Sequence, residues 1–252
     1  MIMAVVKERP LNTVFALNAT KVDKSVCANT TPRVLSVCCI YDKTFLNFPS
    51  NSNYRLGDYL QSWKYFQNHT AAIRKQFTFN KTITAKAQEL LHNVMVEYKR
   101  RTSNVSDTTN AEQPTFIGVH IRRTDFANSV HKSLGYPLAS KEYIVKAMEY
   151  YTNKFSKVIF LICSDSIDWV KSNFNSSNMF YSVGNSPEVD MCILSSCNHS
   201  IMTVGTFGWW ASFLAGGETV HYKHLARKGS KLRREYSSDY KDYFYPGWIG
   251  MD

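Results

Sequence analysis

Between Phe116 and Tyr222 five short apolar runs alternate with stretches of helical periodicity, and this alternation limits the fold more than any other feature of the chain. Phe116 to Ile121, Val158 to Ile162, Met179 to Val183, Ser200 to Val204 and Thr219 to Tyr222 have strand length and are too short for helices. Helix signals fill the gaps. Ser140 stands as an N-cap before Tyr143, Ile144, Ala147, Met148 and Tyr151, which share one face, and Ser164 or Asp165 can cap a run through Trp169 and Phe174. Ser186-Pro187 opens a helix with proline in its first turn, and Phe207 to Leu214 is a helix stopped by Gly216-Gly217. Strands joined by helical crossovers pair in parallel, so the region reads as a Rossmann-like α/β half. In such sheets ligands sit outside the carboxyl ends of the strands.

A polar stretch without apolar periodicity, Ser103 to Gln113, marks a surface linker and sets the expected division at residues 1–112 and 113–252. Before it, Leu90, Leu91, Val94, Met95 and Tyr98 fall at helical spacing within a helix from about Thr84 to Tyr98.

With 252 residues, 44% of them hydrophobic, the chain can bury a real core and is not a disordered one. Its formal net charge of +10 favours an anionic partner, whether nucleic acid, anionic membrane or a phosphorylated small molecule. No run of ~20 apolar residues is present to span a bilayer. Seven sequons, at Asn18, Asn29, Asn68, Asn80, Asn104, Asn175 and Asn198, point to a secretory compartment, with Asn198 expected to be buried on a strand and unmodified. The six cysteines lack paired C-x-x-C spacing, so no metal site is expected. Cys27 with Cys38 or Cys39 can close a small disulfide loop, while Cys163 reads as a buried thiol.

The carboxyl ends of three expected strands carry the candidate chemistry. Alternation along the first puts His120 and Arg122 on one face and Ile117, Val119 and Ile121 on the other, which brings Arg122 and Arg123 to the strand's mouth. A guanidinium is a planar fork of donors that matches phosphate oxygens, and two suit a diphosphate. The alternative is an ordinary ion network with Asp125, and a core role for His120. The second loop, Thr203 to Gly217, is a strand, a glycine turn and a helix, a layout in which free amides and the helix dipole favour an anion. Gly205, Thr206 and Phe207 are its candidate contacts, and Trp209, Trp210 and Phe213 are either core or substrate platform. The third loop offers Asp165, either to a guanine edge or as a helix cap.

Val119-His-Ile-Arg-Arg-Thr-Asp125 resembles the H-x-R-R-x-D motif of the α-1,2-fucosyltransferases, and Cys197 to Gly217 is similar to that family's C-terminal signature nearly throughout. Smaller echoes lie at Tyr59 to Trp63, Ile73 to Phe79 and Pro246 to Trp248. The resemblance implies a GT-B-like fold of two Rossmann-like halves, with residues 1–112 an incomplete acceptor-side region and 113–252 the GDP-fucose-binding domain. It implies a metal-independent, inverting transfer of L-fucose from GDP-β-L-fucose to a galactose 2-hydroxyl of a glycan. Carried over by motif, Arg122 holds the leaving diphosphate, Arg123 and Asp125 shape its loop, His120 and Asp165 lie near the nucleoside, and Thr206 binds phosphate. Asp125 is the motif carboxylate available as base, with Glu188 and Glu218 as outsiders. The family opens with a Gly-Arg-Leu-Gly-Asn-type turn and a type II signal anchor in the Golgi membrane, and neither is in this sequence. Met1 to Glu8 followed by Thr13 to Leu17 resembles the tail of the first helix and its next strand, so an N-terminally truncated chain is expected. Two rival readings follow: a pseudoenzyme that binds GDP-fucose or glycan without turnover, and a basic nucleic-acid-binding protein resting on the run Lys223 to Arg234, which the sequons argue against.

Overall fold

A computed structural model describes residues 13–17, 30–33, 37–49, 52, 54–56, 59–102 and 113–252. Met1 to Glu8, Cys27, the sequons at Asn18, Asn29 and Asn104, and residues 103–112 of the expected linker lie outside them. The chain divides into two compact units, Met1–Asn80 with Gly229–Pro246 and Lys81–Lys228 with Gly247–Asp252.

In the first unit two three-residue strands, β1 (Thr31–Arg33) and β2 (Tyr54–Leu56), pair in parallel. A short helix α1 (Thr70–Gln76) follows a 3-10 helix at Trp63–His69. Phe15 forms an isolated antiparallel bridge with Phe79. Asp242 ties the chain together locally: one oxygen accepts the Tyr41 amide at 3.1 Å and the other pairs with Lys64 Nζ at 2.5 Å. Cys38 and Cys39 are bonded to each other, which corrects the expected loop with Cys27. The Cys38 and Cys39 amides donate to Glu235 Oε2 and Glu235 O, so the pair sits side by side on one anchored segment.

The second unit begins with α2 (Lys81–Thr102), longer at both ends than its apolar spacing suggests. Sequence placed this helix ahead of the linker, in the N-terminal half. It instead buries Ala87 and Val94, and its Thr84 hydrogen-bonds the Cys192 thiol of α6 (Pro187–Ser195), so the division falls between Asn80 and Lys81. Then come β3 (Thr115–Ile121), α3 (Ser129–Leu134), α4 (Lys141–Lys154), β4 (Val158–Ser164), α5 (Ile167–Asn173), β5 (Met179–Tyr181), α6, β6 (His199–Met202), α7 (Thr206–Ala215), β7 (Thr219–Tyr222) and β8 (Ile249–Met251). The strands form one six-stranded sheet in the order β5-β4-β3-β6-β7-β8, parallel throughout. The expected α/β class is therefore seen, with a sixth strand, β8, that three residues around a glycine do not reveal by periodicity.

Burial on both faces explains the near-continuous apolar runs. Ile117, Val119 and Ile121 face α4, whose Tyr143, Ile144, Ala147, Met148 and Tyr151 are the side chains that periodicity had assigned to one face. The two buried phenols are satisfied: Tyr143 Oη donates to Met202 O at 2.8 Å and Tyr151 Oη to Glu218 O at 2.9 Å. Ser140 caps α4 by accepting the Tyr143 amide at 3.1 Å, as expected. Among the described residues no helix is long and apolar enough to cross a membrane.

Candidate functional site

Strand order fixes where this sheet can bind a ligand. The chain runs outward from β3 through β4 to β5, then returns past β3 to β6 and continues the other way through β7 to β8. Direction reverses between β3 and β6, and the crevice outside the carboxyl ends at such a reversal is the ligand position of open α/β sheets. The two loops singled out by sequence leave those two strands. They are stitched together by the Thr203 hydroxyl, which accepts the Arg122 amide at 2.9 Å, and by the Thr203 amide, which donates to His120 O at 3.1 Å. Sequence reasoning passed over Thr203, a buried threonine at a strand end that gives no signal of its own.

Arg122 and Arg123 do not converge. Arg122 makes a two-point pair with Asp125, Nε to Oδ1 at 2.9 Å and Nη2 to Oδ2 at 2.7 Å, and Nε lies 3.3 Å from Asp165 Oδ2. Those bonds use two of the guanidinium's five N–H donors. The Arg122 charge holds the Asp125 carboxyl below its usual range, and Asp125 raises the guanidinium in turn. With both oxygens committed to Arg122, Asp125 has the geometry of a group that orients the fork. Arg123 turns away: its guanidinium lies over the Trp169 ring at 3.5 Å and Nη1 donates to Ala139 O at 3.3 Å. Partial burial depresses this guanidinium, and the nearby Asp165 charge opposes the shift.

Asp165 is not the cap of α5, a position held by Ser166. Its two oxygens accept the Arg123 amide at 2.9 Å and the Thr124 amide at 3.1 Å, and its carbonyl accepts the Thr124 hydroxyl at 2.7 Å. A carboxylate so placed shapes the whole arginine loop. A second carboxylate that sequence did not single out, Asp190 in the first turn of α6, lies over the carboxyl ends of β4 and β5. It accepts the Ser182 hydroxyl at 2.6 Å, and burial pushes its carboxyl up. The signal was present, an aspartate amid the buried Val189, Cys192 and Ile193, but a helix's first turn is also where aspartate is ordinary.

On the β6 side, Gly205 is the N-cap of α7 at φ 91° and ψ 160°, a conformation open in practice only to glycine. Gly205 has no side chain to cap this helix, which leaves its first amides without a side-chain cap among the described residues, and Thr206 beside them is exposed. Phe207 lies against the His120 ring, centroids 5.1 Å apart. Gly208 lets α7 come down on the strand: a Cβ there would fall 2.5 Å from His120 Nδ1. Trp209 and Phe213 are buried core, stacked at 5.4 Å, rather than a platform. Of the outsiders, Glu218 sits at the amino end of β7, paired with Lys154 at 2.8 Å, at the wrong end of the sheet for this crevice. Glu188 is in the first turn of α6. Cys163 is a buried thiol pushed up by burial. The basic run breaks up, with Lys223 paired to Asp252 and Arg233 over the Tyr240 ring.

His120 is 7% exposed and its Nδ1 has no hydrogen-bond partner among the described residues; burial pushes its pKa down to about 4. His221 is likewise pushed down to about 4 by burial. Both folded values lie below the ordinary 6.5, so between pH 6.5 and 4 the unfolded chain takes up protons that the folded chain refuses. Stability is therefore fully present above pH 6.5 and falls as pH drops, by on the order of 3 kcal/mol per histidine near pH 4. Urea midpoints measured from pH 7.5 to 4.5 check this. A flat profile would contradict it, and His221→Gln should remove part of the slope.

Known proteins are similar to this chain in sequence. Galactoside alpha-(1,2)-fucosyltransferase 2 of Bos taurus is 32% identical over 203 residues, 78% of this chain and 55% of the relative. The enzyme of the same name from Rattus norvegicus is 30% identical over 78% of this chain and 53% of its own length. The chain thus spans about half the length of the curated relatives it matches. Among solved structures, POFUT1 in complex with GDP superposes with a TM-score of 0.42 at 13% identity, over 61% of this chain and 49% of the other. The family model for glycosyl transferase family 11 matches residues 40–252, which takes in the arginine loop, the glycine turn and every strand from β2 to β8, and the chain belongs to that family.

Proposed function

We propose that this chain is the donor-binding and catalytic part of an inverting transferase that moves L-fucose from GDP-β-L-fucose to the 2-hydroxyl of a galactose in a glycan, forming an α-1,2 linkage. One observation carries the reading: the Arg122 donors left unused among the described residues and the start of α7, without a side-chain cap among them, share the crevice at the point of strand reversal. Both are built to meet a doubly charged phosphate group.

The acceptor hydroxyl oxygen attacks the anomeric carbon from the face opposite GDP and gives up its proton to a carboxylate or water on that side. The bond from that carbon to the β-phosphate oxygen breaks, and its electron pair leaves with the diphosphate. Negative charge grows on oxygens that Arg122 and the amides after Gly205 already face, and fixed donors in place beforehand are the strongest lever on such a step. Thr206 adds a hydroxyl, Phe207 and His120 wall the crevice, Asp125 aims Arg122, and Asp165 fixes the loop that carries both arginines. On this reading the chain's own cations and dipoles meet the leaving charge without a metal. The enzyme works in the Golgi lumen, held by a type II anchor upstream of this segment. It takes no nucleic acid.

Calorimetric titration with GDP and GDP-fucose in the presence of a chelator, followed by transfer to a β-galactoside, tests the proposal. Saturable binding and a fucosylated product are expected. Absence of GDP binding would overturn it, and binding without transfer to any β-galactoside would reduce the chain to a GDP-fucose-binding protein.

A further inference from the structure

Four of the seven sequons fall in the described residues, and their surroundings differ. At Asn80 the side-chain nitrogen that a glycan would occupy already donates to Thr13 O, and the backbone amide is held by Val14 O at 2.9 Å. Asn198, expected to be buried, is exposed and stands one residue ahead of β6. Its side chain is nonetheless fixed, because Oδ1 accepts the Phe116 amide at 2.9 Å, and the hydroxyl residue of its sequon, Ser200, is buried in the central strand. Asn68 is exposed but lies inside the 3-10 helix Trp63–His69, with Thr70 opening α1. Asn175 alone of the four is exposed, outside any regular element, and without a hydrogen-bond partner for its amide among the described residues. Its sequon's Ser177 is exposed as well.

The turn that carries Asn175 is well anchored beneath. Arg101 of α2 donates to Ser177 O at 3.5 Å and Met179 O at 3.4 Å while its guanidinium covers the Phe180 ring at 4.5 Å. The Met179 amide closes the turn on Ser176 O at 3.1 Å. Asn175 therefore projects from an ordered platform between α5 and β5, the end of the sheet where β5 begins. The arginine loop and the glycine turn leave the opposite end, and the seven residues of β4 set the two ends roughly 20 Å apart. β5 is also an edge strand of the sheet. Unpaired edges invite pairing with other chains, and a bulky hydrophilic group at the start of one obstructs that.

We infer that Asn175 is an N-glycosylation site of this protein, occupied while Asn80 and Asn198 stay unmodified, and that its glycan covers the β5 edge without reaching the donor crevice. The inference rests on the luminal reading above. The test supplies its own entry to the lumen, so that the two can fail separately. The full chain is secreted behind a heterologous cleavable signal peptide from glycosylating cells. Peptide-N-glycosidase treatment in heavy-oxygen water then marks each occupied asparagine as labelled aspartate for peptide mass mapping. Labelled Asn175 is expected, with Asn80 and Asn198 unlabelled. Asn175→Gln and Ser177→Ala should each remove one glycan step on a gel and leave GDP affinity and transfer rate within about twofold of the parent. Secreted protein with Asn175 unmodified would overturn the inference, as would equal labelling of Asn80 or Asn198, or loss of GDP binding in Asn175→Gln. Cytosolic residence of the natural full-length protein would instead count against the luminal reading alone.

Discussion

Arg122→Ala is expected to lower fucose transfer by about 10²–10³-fold, the usual loss when one preorganised donor to a developing anion is removed. The fold should survive. Arg122 is more than a third exposed on its side chain, its backbone amide keeps the bond to Thr203, and the ion pair it gives up is of the partly exposed kind that contributes little. Arg122→Lys should recover only part of the rate, because an ammonium keeps the charge but lacks the planar fork that Asp125 aims. Steady-state transfer and GDP titration, set beside a thermal melt, separate the outcomes. Parental transfer by Arg122→Ala would remove the arginine loop from the site. A collapse of the melt would show that the side chain supports the fold instead.

Gly208→Ala should damage fold and site together. The new Cβ would stand 2.5 Å from His120 Nδ1 and 3.2 Å from Met202 Cβ, and His120 is a buried ring held against Phe207, not the loose end of a flexible chain. Overpacking of this kind costs about 1–3 kcal/mol, more than the roughly 1 kcal/mol that alanine offers over glycine inside a helix. A fall in Tm of several degrees is therefore expected. If α7 lifts to relieve the contact, the amides after Gly205 move with it, and a shift near 1 Å is enough to reduce transfer by about 10²-fold. Because the one contact under 3 Å is with His120, His120→Ala placed in the same chain should restore much of the lost stability. A double-mutant cycle reads that coupling directly. Additive effects, or a Gly208→Ala protein as stable as its parent, would contradict the close approach.

The two predictions differ in how far sequence alone would have led to them. Arg122 was visible as a guanidinium after an apolar strand, and Gly205-Thr206 as a glycine turn before a helix. Gly208 was one glycine among several in a helical run. Only the packing of α7 onto β3 gives it a partner, eighty-eight positions away by sequence number from His120.

The sequence by itself determined the alternation of strands and helices from β3 to β7, the face of α4 that is buried, the cap at Ser140 and the two loops to which the proposed donor site is assigned. These rest on local periods and on the stereochemistry of single residues, which a chain displays wherever it is placed. Tertiary structure decided the rest. It turned Arg123 onto Trp169 and away from Arg122, and made Asp165 the keeper of the arginine loop. It bonded Cys38 to Cys39, moved α2 into the second unit and added β8 to the sheet. Each of these depends on which distant groups arrive together, and a guanidinium or carboxylate takes whichever partner lies within reach in the folded chain. The crevice between β3 and β6 belongs to both accounts: local pattern supplied its two loops, and the order of strands set them side by side.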